Sequence, residues 1–488
     1  MKRENVILWV AFFLLFGVWI GSKFGEASPA GDKMSQFFDY LKEEYVEELD
    51  VDSLQAEAMD HILSSLDPHS TYIPLDEGAA MAERMQGGFS GIGVEFAIKK
   101  DTLVFVHVMQ PGPAAAAGIL SGDRVYAIDQ DTIVGESLTN DIVTSKIKGR
   151  RGTSVSLEVI RGKDQLSFSV QRDLVPIESV LHLPVEDGVG YLKIDRFAET
   201  THDEFVAHLD YLTATGMEEL IIDLRDNPGG YLHESVAMVD EFLGDDKNIV
   251  TTKYKDGSTN TSTAKSGNRF EELPVHILIN ENSASASEVF TGALQDHDRA
   301  TVYGQTSFGK GLVQEDKVLA DGSKVRLTVA YYYTPSGRSI QKPYREGQVV
   351  SEGVFISDTG RVLYSQGGIE PDVEITNDSA SYFWTFSYGT IDAFGFDYAD
   401  THRSDFKDLN FSNYYSDFTI TEEILSSFLE FGGYGIVLED LSAFDRKELS
   451  LLLKAGIARN LWGFDAYRKV LLKDDASIAQ IRSAIGQK

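Results

Sequence analysis

The sequence predicts a multidomain α/β protein with four parts. These are an N-terminal helical stretch, a small β-rich module, an α/β domain with a largely parallel sheet, and a helical, aromatic-rich C-terminal extension. Three observations carry this reading. Apolar residues recur at helical spacing over residues 33–86, first Phe37, Phe38, Leu41, Tyr45 and Val46, then Leu54 to Leu66. Short β-type runs broken by glycines fill residues 87–172. Strand-like and helix-like segments alternate over residues 175–375, the pattern of a parallel sheet with crossover helices.

Composition narrows the function classes. The chain has 488 residues, with 44 Lys and Arg against 76 Asp and Glu, a formal charge of −32. Its length fits two to four domains at ~100–200 residues each. With 42% hydrophobic and 11% aromatic residues, most of the chain folds around real cores. The acidity argues against nucleic acid as a partner, since phosphate contacts need basic surface. No cysteine is present, which excludes disulfides, thiol catalysis, iron–sulfur clusters and thiolate zinc sites.

The elements follow in order. Lys2 and Arg3 precede an uncharged stretch from Asn5 to Ser22, and Val6–Ile20 is almost wholly apolar. A positive flank before a core of this length reads as a signal peptide or a short membrane span. Phe24-Gly25-Glu26-Ala27-Ser28 is a poor cleavage site. Residues 1–24 are therefore expected to be an uncleaved membrane anchor rather than an export signal. Lys2 and Arg3 would lie in the cytoplasm and everything after Ser22 outside it, on the periplasmic side. Leu66-Asp67-Pro68-His69-Ser70 ends the helical region, with Pro68 as the stop. In the β-rich module the strands are Gly93–Ile98, Leu103–Val108, Arg124–Ile128, Val155–Ile160 and Leu166–Val170, and Pro113–Gly118 is a short helix. Beyond residue 175, Gly190–Ile194, Leu220–Leu224, Val275–Ile279 and Ala300–Tyr303 read as strands. Asp203–Thr215, His233–Leu243 and Ala286–Gln295 read as helices, and Lys324–Tyr333 is a long β run. Residues 376–488 are crowded with aromatics from Tyr382 to Tyr434, expected to pack a core, and amphipathic helices run on from about Thr421.

Three segments could carry chemistry. Asn280-Glu281-Asn282-Ser283-Ala284-Ser285-Ala286-Ser287-Glu288 lies between a strand and a helix. A nucleophile suits that place, because the strand end is rigid and the first helical N–H groups point at a developing oxyanion. Ordinary helix capping is the plainer explanation of one serine there, though not of three. A serine needs a base. Ten histidines are present but none sits in a catalytic motif, and no Gly-x-Ser-x-Gly elbow exists. His107, His182 and His276 lie in β-like runs and read as structural. Lys310, in Gly309-Lys310-Gly311, is the other option, and it acts as a base only if its pKa falls from ~10.4 toward neutrality. The same stretch mimics two motifs. Gly304-x4-Gly309-Lys310 lacks the Ser/Thr of a nucleotide-binding loop, and Ser307-x-x-Lys310 lacks a following Ser-Asp-Asn. The third segment is Asp223 to Gly230, where Gly229 and Gly230 at a strand's carboxyl end allow close backbone approach to a ligand.

Read together, these segments resemble the carboxy-terminal processing peptidases, also called tail-specific proteases. The resemblance covers about residues 35–375. It rests on Leu66 to Tyr72, Gly91-Ile92-Gly93-Val94, Ala117 to Asp123, Asp223 to Gly230, Ser283 to Glu288, Gly309 to Gln314 and Tyr332 to Gln341, seven pieces in family order. It implies a PDZ-like domain at residues 87–172 inserted ahead of a serine protease core at residues 175–375. It implies an endopeptidase that recognises protein C-termini and cleaves near the tail with a Ser-Lys dyad. The nucleophile falls on Ser285 and the base on Lys310. Gln314 falls where the family has a glutamine orienting the lysine, a role that suits an i, i+4 pair if the segment is helical. The oxyanion hole would combine the Ala286 N–H with that of Gly229 or Gly230. Gly91, Ile92, Gly93 and Val94 would hold a substrate carboxylate. Asp296 is expected to support structure, and Ser307 to stand apart from the chemistry. Lys148 stands where many relatives carry an arginine, which in some members links the PDZ domain to the active site, and lysine lacks the bidentate fork for that coupling.

No metal and no cofactor is expected. The partners implied are protein or peptide substrates with free C-termini, and a homo-oligomer or activating partner is left open. The insertion Lys342 to Gln366 and the extension 376–488 are given no function. The alternative reading is a non-catalytic PDZ-type peptide-binding protein on an inactive protease scaffold. The presence of nucleophile, base and oxyanion glycines weighs against it.

Overall fold

A computed structural model describes residues 29–99, 101–133, 135, 138–265, 269–345, 353–365, 367–375 and 388–486. The expected anchor at residues 1–24 lies outside the described residues, as do parts of 342–366 and 376–488. Among the described residues, no helix is long and apolar enough to cross a membrane. The described residues form two compact units: those up to Leu75 with Gln314–Thr328, and those of Asp76–Val313 with those from Val329 onward.

The first unit opens with α1 (Pro29–Glu44) and α2 (Val51–Ser64). Asp50 caps α2 by accepting the Ser53 N–H at 3.1 Å. Asp67 then ends the helical pattern. Its carboxylate accepts the N–H groups of His69 and Ser70 at 2.9 and 2.8 Å and the Ser70 hydroxyl at 2.7 Å. The chain leaves this turn as β1 (Thr71–Ile73), which pairs antiparallel with Lys324–Arg326. The stretch read as wholly helical thus contains a strand. Its partner is remote in sequence, and local periodicity carries no sign of it.

α3 (Leu75–Met85) leads into the β-rich module of the second unit. The module's elements are β2 (Gly88–Gly91), β3 (Val94–Lys99), β4 (Thr102–Val108), α4 (Pro113–Ala116), β5 (Arg124–Ile128), β6 (Asp131–Thr132), α5 (Asn140–Ile147), β7 (Ser154–Arg161), β8 (Asp164–Gln171) and β9 (Asp173–Pro176). β2 and β9 pair antiparallel at its base. The other strands form an antiparallel sheet in the order β3-β4-β5-β7-β8, with β6 against β5, so β3 is an edge strand. Alternation sends Phe105, Val125, Leu157 and Val159 inward, where they pack on Val143 and Ile147 of α5.

The α/β domain comprises β10 (Val180–Glu186), β11 (Val189–Ile194), α6 (Thr201–Ala214), β12 (Glu219–Asp223), α7 (Leu232–Asp240), β13 (Asn248–Tyr254), β14 (Thr259–Thr263), β15 (Val275–Ile279), α8 (Ala286–Asp296) and β16 (Ala300–Gly304). β17 (Leu312–Val318), β18 (Lys324–Tyr333), β19 (Phe355–Ile356), β20 (Val362–Leu363) and β21 (Val373–Glu374) follow. The main sheet runs β10-β11-β12-β15-β16-β21 and is parallel except for β10. Strands buried on both faces read as unbroken apolar runs, which is why Glu219–Asp223 and Val275–Ile279 are so legible. One face packs on α6, α7 and α8 through Phe205, Leu209, Met238 and Phe290.

The C-terminal region folds as α9 (Tyr388–Thr401), α10 (Phe411–Asp417), α11 (Glu422–Gly432), α12 (Ala443–Trp462), α13 (Phe464–Lys473) and α14 (Ala476–Ile485). Its aromatics do pack cores: Phe394 and Phe428 in one, Phe406, Tyr414 and Tyr415 in another. Where α9 crosses α12, a Cβ on Gly395 would lie 2.9 Å from the Gly456 carbonyl carbon, so two glycines set that approach. α14 covers the second face of the main sheet, placing Ile478 and Ile481 against Tyr191, Ile221, Leu278 and Tyr303.

Candidate active site

Two turns at the carboxyl ends of β12 and β15 build the site, the expected position for chemistry on a parallel sheet. They are tied to each other. The Asn280 side chain accepts the Asp226 N–H at 2.9 Å, and Asp226 accepts the side-chain amides of Asn280 and Asn282, each at 2.9 Å. The Ala284 N–H donates to the Asn227 carbonyl at 3.0 Å. Upstream, the buried Asp223 carboxylate is held low in pKa despite burial. Lys193 and Arg225 supply the opposing charge, and Tyr191 donates to it at 2.8 Å. Arg225 also pairs with Asp475 at 3.0 Å, binding this turn to the segment before α14.

The three serines now separate. Ser283 is fully buried, and its hydroxyl donates to the Leu224 carbonyl at 2.8 Å. Ser287 is fully buried, and its hydroxyl donates to the Asn227 carbonyl at 3.0 Å. Ser285 is partly exposed at the N-cap of α8, with φ +55° and ψ −113°. Positive φ at a non-glycine residue is strain of ~1–3 kcal/mol, held in place only by firm surroundings.

Those surroundings are Glu288 and Tyr332, neither of which sequence reasoning assigned a role. The Glu288 carboxylate is buried and accepts four donors. They are the Ser285 N–H at 2.8 Å, the Ser307 hydroxyl at 2.6 Å, the Gly309 N–H at 2.7 Å and the Lys310 N–H at 2.8 Å. Burial pushes its carboxyl above the ordinary range, and the four donors pull against that shift. The Tyr332 hydroxyl reaches the Ser285 carbonyl at 3.1 Å and also bonds the Lys310 carbonyl. Burial first, and then the Glu288 charge, push the phenol well above its ordinary pKa, so it stays a donor. Glu three residues after a capping Ser is the capping-box signature, and that signal could have picked out Glu288.

The other expected residues fall as follows. Gly229 and Gly230 have φ +99° and +149°. A Cβ on Gly229 would lie 2.9 Å from Ser285 Cβ, so glycine is what lets the first turn approach the second. The Gly229 N–H, however, donates to the Asn227 side chain at 2.8 Å. It is therefore engaged within its own turn. Gln314 lies on β17, a strand, so the helical i, i+4 geometry does not apply to it. Ser307, expected to stand apart, is bound to Glu288 and accepts the Ile369 N–H at 2.6 Å. Asp296 is buried and receives Arg338 at 2.7 Å and the Ser336 N–H at 2.9 Å, a structural role. His276 pairs with Glu219 and His182 with His208. Gly91 closes β2, and Ile92 and Gly93 turn the chain into β3 at Val94. The Lys148 ammonium lies 5.1 Å from the centre of the Phe89 ring.

Comparison with known proteins matches residues 188–375 to peptidase family S41, residues 90–171 to the PDZ domain, and residues 382–463 to a family of unknown function. A carboxy-terminal-processing protease of Bartonella bacilliformis is 36% identical over 63% of this chain and 72% of its own length. Carboxy-terminal processing protease CtpA of Bacillus subtilis is 32% identical over 66% of this chain and 69% of its own. Among solved structures, a photosystem II D1 C-terminal processing protease aligns at 24% identity over 70% of this chain and 86% of its own, with a TM-score of 0.38. The chain belongs to the carboxy-terminal processing proteases, PDZ-bearing serine peptidases of family S41.

Proposed function

We propose that the chain is a Ser-Lys endopeptidase that selects substrates by their free C-termini. One observation carries the dyad: a single buried carboxylate, Glu288, accepts the N–H groups of both Ser285 and Lys310. A nucleophile and a base must keep their relative position through catalysis, and this bridge holds both backbones to one group. Neutral Lys310 takes the Ser285 proton as Oγ attacks the scissile carbonyl. The N–H groups of Ala286 and Gly230 receive the oxyanion. Collapse expels the amine, which takes the proton from Lys310. Water then attacks the acyl-enzyme, with Lys310 again as base, and releases the new carboxyl end. Gln314 retains its proposed role of orienting Lys310. Its Nε2 is buried without a hydrogen-bond partner among the described residues.

The tail is read by the PDZ domain. The turn Gly91–Val94 binds the carboxylate through backbone N–H groups, and the free edge of β3 pairs with the chain behind it. The enzyme works outside the cytoplasm, anchored through residues 6–20.

The test compares the parent chain with Ser285→Ala and Lys310→Arg on a peptide with an apolar free-acid tail. Both variants lose turnover while keeping the parent's melting temperature, because arginine is never deprotonated near neutral pH. An active Lys310→Arg enzyme removes the base role. Equal cleavage of free-acid and amidated substrates removes tail recognition. Release of full-length protein without detergent removes the anchor.

A further inference from the structure

The C-terminal helical region is docked on the PDZ domain beside the edge strand on which tail recognition depends. Phe396 of α9 packs on Val104 and Val106 of β4 and on Ala97 of β3. Arg124 of β5 pairs with Asp400 of α9 at 2.7 Å, and Glu95 of β3 accepts the Phe464 N–H at 3.0 Å. These contacts lie on the outer face of the PDZ sheet. Among the described residues they leave the outer edge of β3 without a strand partner, and they place α9 and α12 alongside it. The result is a cavity of about 440 Å³ with β3 as its floor. One wall is the start of α5 at Asn140, and the other is Asp392, Arg459 and Asn460 from the C-terminal region.

We propose that this second wall is part of the substrate site and reads a side chain several residues upstream of the tail. The inference rests on the reading of Gly91–Val94 as the carboxylate site. If the carboxylate sits at the start of β3, the chain behind it runs antiparallel to the strand, from Lys99 toward Val94. Six residues of strand span roughly 20 Å. The residue level with Lys99 is therefore about the sixth from the end, and there it meets α9 and α12. The polar groups at that point are unbalanced. Asp392 is the carboxylate for both Lys99 at 3.5 Å and Arg459 at 3.2 Å. The lining carboxylate of Glu95 is engaged by the Phe464 N–H. Lys99 and Arg459 bring two positive charges to this end of the groove against the one negative charge of Asp392, so the point is net cationic. The occupant that fits is an extended chain end of at least six residues, with an acidic side chain near the sixth position from its terminus. The C-terminal region is then a specificity element, and short tails escape its influence.

The experiment uses the full chain carrying Ser285→Ala, so that labelled peptides bind without being cleaved. Three free-acid peptides share their last four residues: a decamer with Glu sixth from the end, the same decamer with Lys there, and the tetramer alone. Arg459→Ala should weaken the Glu decamer about threefold to fivefold and leave the tetramer unchanged. Arg459→Glu should reverse the preference between the two decamers. Asp392→Asn should strengthen the Glu decamer, a gain that damage to the fold cannot produce. Arg459 and Asp392 are nearly half exposed, so both tolerate substitution. Equal effects on tetramer and decamer, or no effect of any variant, overturns the second wall. If amidating the Glu decamer leaves its affinity unchanged, the carboxylate reading itself fails, whatever the wall variants do.

Discussion

Glu288 and Tyr332 hold the same two residues by opposite groups. Glu288 takes the N–H groups of Ser285 and Lys310, and Tyr332 donates to their carbonyls. The left-handed backbone of Ser285 is fixed on both sides of its Cα, and the lysine loop is fixed with it.

Glu288→Gln turns one acceptor into a donor that faces other donors. An unsatisfied buried group costs ~1–3 kcal/mol in stability, and a displaced reacting group costs about a hundredfold in rate. The expected result is a fall in kcat of that order with KM nearly unchanged, since substrate does not touch Glu288. Steady-state kinetics together with thermal melting checks this. Loss of stability with kcat intact would reduce Glu288 to a structural residue.

Tyr332→Phe removes one hydroxyl and leaves the ring volume. Losing its bonds to two carbonyls should cost about 1 kcal/mol in stability. kcat should fall roughly tenfold, less than for Glu288→Gln, because no donor is turned against another donor. Near-parent kcat in this variant would show that Glu288 alone suffices.

Ser307→Ala tests the same cluster from its far side. The Ser307 hydroxyl bridges Glu288 and the Ile369 N–H, so its loss leaves that buried N–H unpaired. Stability should drop by ~1–3 kcal/mol with partial activity retained. Complete inactivation would point to a chemical role for Ser307 instead.

Stability should depend on pH through His182 and His208, whose Nδ1 atoms lie 2.9 Å apart between β10 and α6. Burial first, then the charges of Lys469 and His208, hold the His182 imidazole down to about 4. Burial lowers His208 as well. A depressed imidazole is neutral in the fold, while the unfolded chain takes up its proton near ~6.5. Its stabilising effect is present above that pH and is lost as pH falls from about 6.5 toward 4. Melting temperature should decline across that window, and His182→Gln should flatten the decline. An equal slope in parent and variant would clear the pair.

Removing α14 should uncover the sheet face under it. Ile481→Ala, at a fully buried position, should cost ~2–5 kcal/mol. A chain ending near residue 375 should be insoluble. Chemical denaturation and a solubility assay check the two expectations. A soluble, active truncation would mean that the face tolerates water.

Much of the architecture was legible because its signals are local. Val275–Ile279 and Lys324–Tyr333 announce themselves as apolar or β-branched runs, and the strand ends of β12 and β15 locate the site by topology. What escaped depends on partners remote in sequence. β1 is three residues long and has meaning only beside Lys324–Arg326. β14 is the polar run Thr259–Thr263, half of a hairpin whose turn at Asp256-Gly257 was its one local cue. Within the site, Ser285 could be singled out by its strand-end position and motif. The engagement of the Gly229 N–H by Asn227 and the strand conformation of Gln314 depend on backbone detail that spacing does not encode. Tyr332 lies in a long strand like any core tyrosine, and only its hydroxyl's two contacts distinguish it.

The cover that α14 gives the sheet has a consequence in time. Translation delivers Ser285 and Lys310 well before Ile478 and Ile481. At about 5–20 residues per second, the delay is on the order of ten to thirty seconds. Through that interval Tyr191, Leu278 and Tyr303 have no lid, and Arg225 waits for Asp475. A nascent chain on the ribosome thus holds Ser285 and Lys310 before it holds the piece that braces the turn beside them.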